Sequence, residues 1–148
     1  MLRGSDLTDR GILALEALEK LKAISIDQSK IGDPSLEVIG KFNNLEFLFL
    51  GGHRFSDEGV KHLAGLTDLT YLVLDGSLQE DLPWVAKMLG GKNQPATLVT
   101  EDGLRALKDL KKLKWMSIHN TEYSDAFVKE FNAAYPKCKL VELSLIHI

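Results

Sequence analysis

The sequence predicts an α/β solenoid, a right-handed arc in which short parallel strands build one concave sheet and short helices line the convex side. Three observations carry this. An apolar phrase returns at intervals of 24 residues, within each phrase the apolar residues alternate, and between phrases an acidic residue opens a segment with helical spacing. A fixed period in this range marks a unit that cannot bury its apolar face alone and must stack on its neighbours.

The strands follow from the phrase itself. Leu21-x-x-Ile24-x-Ile26 becomes Leu45-x-x-Leu48-x-Leu50, then Leu69-x-x-Leu72-x-Leu74, then Leu113-x-x-Met116-x-Ile118. Alternate side chains of a strand point to opposite faces, so each apolar pair shares the inward face. This places strands near residues 23–26, 47–50, 71–74 and 115–118. A weaker return, Leu140-x-x-Leu143-x-Leu145, is expected to lead with Leu140. Apolar residues at Leu7, Ile31, Phe55, Val99 and Tyr123 open the return segments. Helical spacing follows, as in Ile12, Leu15, Leu18 and in Val60, Leu63, Leu66. The acids Asp9, Asp33, Asp57, Glu101 and Asp125 mark the helix starts, where a carboxylate is expected to accept first-turn N–H groups of its own helix.

These phrases resemble the leucine-rich repeat family, and Asp57-Glu58-Gly59-Val60 and Asp102-Gly103-Leu104 look like its F-box-associated and bacterial subtypes. The resemblance covers nearly the whole chain outside the insertion and implies protein–protein recognition through the concave face. Three other roles stay open: the substrate-recognition part of a ubiquitin-ligase-type adaptor, an accessory segment of a larger enzyme, or a purely structural fragment with no partner. One column departs from the family pattern. Where the family has Asn or Cys, this chain has Ser5, Ser29, His53, Ser77 and Thr121.

Residues 1–148 read as a single such domain, with an insertion at about 78–98 and both ends truncated. Leu69 to Leu113 spans 44 residues, a repeat plus 20, and the extra stretch contains Gly90-Gly91 and Pro95. It is expected to be the least ordered internal segment. Ser144 to Ile148 resembles translated adapter sequence but also fits a sixth strand.

Bulk properties narrow the function classes. Net charge is -3 with a pI near 5.8, which argues against a general nucleic-acid or anionic-membrane surface. The single cysteine, Cys138, permits no internal disulfide and is expected to be buried. No apolar run reaches the roughly 18 residues of a membrane span, and no signal-peptide core opens the chain, so a cytoplasmic location is the default expectation. No phosphate loop, nucleophile triad or metal-ligand spacing occurs. The expectation is a non-enzymatic module without cofactor or metal, whose partner is a protein and not a nucleic acid, membrane or small molecule.

The expected site lies on the outward strand positions. Phe47, Tyr71 and Trp115 fall in one column, Phe49, Val73 and Ser117 in the next, Asp75 and His119 in a third. Rigid aromatics bury much area at low entropy cost and so suit recognition. Two structural alternatives compete: a cross-strand ladder that only stiffens the sheet, or a row covered by the insertion. Asp27, Asp75 and His119 share a column but lack the spacing of a metal or acid–base site.

Overall fold

A computed structural model describes residues 2–3, 7–27, 30–51, 55–75, 99–118 and 123–141. The insertion, the column of Ser5, Ser29, His53, Ser77 and Thr121, His119 and the segment Ser144–Ile148 lie outside them. The chain is α/β, with one all-parallel sheet. Its strands are β1 (Leu2–Arg3), β2 (Ala23–Asp27), β3 (Phe47–Gly51), β4 (Tyr71–Asp75), β5 (Trp115–Ile118) and β6 (Lys139–Val141). They lie side by side in chain order. Five α-helices connect them among the described residues: α1 (Asp9–Leu13), α2 (Asp33–Ile39), α3 (Asp57–Lys61), α4 (Glu101–Arg105) and α5 (Asp125–Ala134).

The sheet register reproduces the sequence period. Ile24 lies opposite Leu48, Leu48 opposite Leu72, and Leu72 opposite Met116. The inward positions Ile26, Leu48, Leu50, Leu72, Leu74, Met116 and Ile118 are all buried, as are Leu36, Val60 and Leu104 from the helices. Strands and helices thus share one apolar cluster running from Ile12 to Cys138. β4 pairs directly with β5, with no strand between them.

The last unit corrects the sequence register. Leu140 lies opposite Met116, not opposite the leading Leu113. Met116 to Leu140 is again 24 residues. The apolar pattern misleads here because Leu140, Leu143 and Leu145 mimic the phrase three residues late.

The helices are shorter than the apolar spacing suggests. α1 stops at Leu13, and the chain continues in i to i+3 hydrogen bonds from Leu15 to Ile12 and from Leu18 to Leu15. After α3 the same happens in a 3₁₀ turn, His62–Gly65. Apolar residues spaced by three fit the tighter winding of such turns better than an α-helix of 3.6 residues per turn.

The acid column works differently from the expectation. Asp9, Asp33, Asp57 and Glu101 each reach across to the next unit instead of serving their own first turn. Asp33 accepts from the Ser56 backbone N–H at 2.9 Å and from its hydroxyl at 2.5 Å. Asp57 does the same with Thr100, both at 2.6 Å. Asp9 accepts from the Gly32 N–H at 2.9 Å and, since Gly32 has no hydroxyl, from Ser35 Oγ at 2.5 Å. Glu101 accepts from the Ser124 N–H, which with the Ser124 hydroxyl and Arg105 lowers its carboxyl pKa. The receiving hydroxyls then cap their own helices: Ser56 Oγ accepts from Gly59 N, Thr100 Oγ1 from Asp102 N and Ser124 Oγ from Phe127 N.

The glycines of the Asp-x-Gly phrase make room for this ladder. A Cβ on Gly59 would stand 2.0 Å from Asp33 Oδ1, and one on Gly103 would stand 2.3 Å from Asp57 Oδ1. At the same position the last unit has Phe127, and there the preceding acid is the longer glutamate Glu101.

Candidate functional site

The core takes one face of the sheet, so the outward residues of each strand define the other. The register aligns Ala23, Phe47, Tyr71, Trp115 and Lys139 across five neighbouring strands. Parallel strands are about 4.8 Å apart, so three consecutive aromatic positions cover about 10 Å. The Phe47 and Tyr71 rings are in contact, with centroids 6.0 Å apart and planes tilted by 41°. They do not stack face to face, because a tilt brings the positive edge of one ring to the negative face of the other.

These two rings remain open, Phe47 at 37% exposure and Tyr71 at 43%. Trp115 is half-buried. Lys139, next in the row, holds its Nζ 5.1 Å from the Trp115 ring centroid, a cation–π contact. The lysine was not among the expected site residues. The misplaced register of the last unit hid it, since the column is legible only once Leu140 is aligned with Met116.

The neighbouring column aligns Ser25, Phe49, Val73, Ser117 and Val141. Phe49 and Val73 are partly exposed and flank the aromatic row. Ser117 is a correction. It was expected on the accessible surface, yet it is 4% exposed. A hydroxymethyl group rises little above the sheet, and in register it sits between Val73 and Val141.

The third column brings Gly51 opposite Asp75 and Asp27 opposite Arg3. Asp27 and Asp75 are therefore two strands apart in the sheet, about 9.6 Å. Among the described residues no three His, Cys, Asp or Glu side chains are grouped to hold a metal.

Two further groups complete the inventory. A groove of about 290 Å³ between α4 and α5 has Leu104, Phe127, Phe131 and Tyr135 among its lining. Arg105 at its rim is tied to Glu101, Asp102 and Glu130 at 3.2, 2.9 and 3.0 Å. Beneath it the Tyr135 hydroxyl donates to the Leu107 carbonyl, and burial pushes the phenol up to about 12. Cys138 is buried, and the same cause pushes its thiol up to about 11, which suits a packing residue and not a nucleophile.

No protein-family model matches this chain, and no curated protein matches it. Among the described residues no helix is long and apolar enough to cross a membrane.

Proposed function

We propose that this chain is a leucine-rich-repeat solenoid, a right-handed arc, that recognises a partner protein through the concave face of its sheet. The observation that carries this reading is the unbroken row Phe47–Tyr71–Trp115, with both Phe47 and Tyr71 open to solvent. Exposed aromatic surface on a rigid sheet is expensive to leave in water and marks contact sites. Strand order following chain order, a 24-residue register and a shared helix–strand core all suit a repeat array.

A displayed library of random peptides and small domains, selected on the whole chain, tests the reading. Binders are expected to compete for one face and to lose tenfold or more in affinity with Phe47→Ala or Tyr71→Ala, while the melting temperature stays nearly unchanged. Binders that ignore both substitutions would move the site elsewhere. A large stability loss with binding intact would assign the row to a structural ladder.

A further inference from the structure

The charge around the aromatic row is uneven, and the unevenness selects a class of partner. At the Phe47 end Lys22 is paired with Glu46 at 2.8 Å. At the Trp115 end lysines gather at the starts of β5 and β6. Lys139 stands in the row itself, and its N–H bonds the Lys114 carbonyl, which places the two residues side by side. Lys112 and Lys137 each lie two residues upstream of them, and all four are exposed. Lys112 meets Asp68 at 2.5 Å. Among the described residues no carboxylate meets Lys114, Lys137 or Lys139 in an ion pair, and this in a chain whose net charge is -3.

We infer that the sheet face fits an acidic peptide segment of the partner, with apolar side chains on Phe47 and Tyr71 and carboxylates at the Lys114–Lys139 end. The inference rests on the reading of this face as a binding surface and adds the chemistry of the ligand. A carboxylate there gains from the Lys139 ammonium, which no carboxylate among the described residues pairs, and closure over the neighbouring rings lowers the dielectric that weakens such a pair. Lys139 is held over Trp115 rather than spent on an acid, so its charge is available and its position fixed.

A single-stranded nucleic acid also combines aromatic contact with lysine, but the row suits it poorly. Base stacking needs open ring faces. Phe47 and Tyr71 are tilted against each other at 6.0 Å, and Lys139 lies over the Trp115 ring. A phosphate backbone running along the row would also find Lys22 at the Phe47 end already paired with Glu46.

The experiment selects random 12-residue displayed peptides on the whole chain and measures the enriched peptides as synthetic ligands. The expected sequences set two or more Asp or Glu beside Leu, Phe or Trp. Their affinity should fall at least tenfold with the double charge reversal Lys114→Glu and Lys139→Glu, and should weaken as salt rises from 50 to 500 mM. Peptides that lose binding with Tyr71→Ala but are unmoved by the charge reversal would overturn the acidic class and leave the face reading standing. Enriched peptides indifferent to Tyr71→Ala, or none at all, would overturn both. A 15-nucleotide oligothymidylate that binds and is displaced by Tyr71→Ala would replace the peptide with nucleic acid.

Discussion

Leu72 and Tyr71 are neighbours in sequence and opposites in role. Leu72 is fully buried in the shared core, while Tyr71 stands on the opposite face at 43% exposure. Leu72→Ala should cost about 2–5 kcal/mol, the range for truncating a buried leucine without collapse of the cavity. Chemical denaturation read by circular dichroism checks it, and a midpoint like that of the wild type would remove Leu72 from the core. Tyr71→Ala should change the unfolding free energy from the same experiment by less than about 0.5 kcal/mol, as surface changes do. Cys138 gives a second contrast at this scale. Its thiol is buried and pushed up to about 11, so at pH 8 the thiolate is scarce. A water-soluble disulfide reagent should label the folded chain far more slowly than the urea-unfolded chain, and equal rates would show the thiol to be open.

Between elements, the polar ladder and the glycines form one device. Asp33 holds the Ser56 N–H and hydroxyl, and Gly59 leaves the space that its carboxylate fills. The two positions should therefore couple. Gly59→Ala alone should destabilise the chain, because the new Cβ would stand 2.0 Å from Asp33 Oδ1. In an Asp33→Ala background the penalty should shrink to what the 3.0 Å approach of the new Cβ to Leu36 Cδ1 leaves. A double-mutant cycle by denaturant melts reads this directly, and additive effects would sever the proposed link. Asp33→Ala by itself should cost about 1–3 kcal/mol, since it leaves a part-buried N–H and hydroxyl without their acceptor.

Across the whole molecule the ladder ties each unit to the next, and this sets how the fold answers to pH. Glu101 has its carboxyl pKa lowered from an ordinary 4.5 by the Ser124 N–H, the Ser124 hydroxyl and Arg105. A depressed carboxyl pKa in the folded state stabilises the fold above the unfolded value. That contribution is lost as pH falls from 4.5 toward the lower folded value. Stability measured between pH 7 and pH 3 should thus decline below about pH 4.5. Glu101→Gln should flatten part of the decline, since its amide oxygen still accepts from Ser124 N but no longer titrates in this range. A variant with an unchanged slope would remove Glu101 from the linkage.

Much of this was legible in the residue pattern. Period-two alternation placed β2 to β5 and their buried faces, because a strand with one side in the core must alternate. The aromatic column was legible for the same reason. Other features needed the folded chain. The pairing partner of each acid lies 23 to 43 residues away, at Gly32, Ser56, Thr100 and Ser124, and no local rule distinguishes that partner from the first turn of the acid's own helix. The burial of Ser117 depends on its place between β4 and β6 in the sheet. The place of Lys139 beside Trp115 depends on a register that local apolar matching put three residues out. The sequence by itself determined which residues alternate and where units recur, since these follow from strand and helix geometry. Tertiary structure alone decided which units touch, which carboxylate meets which N–H and where the charge beside the rings falls, since those depend on contacts between segments far apart in the chain.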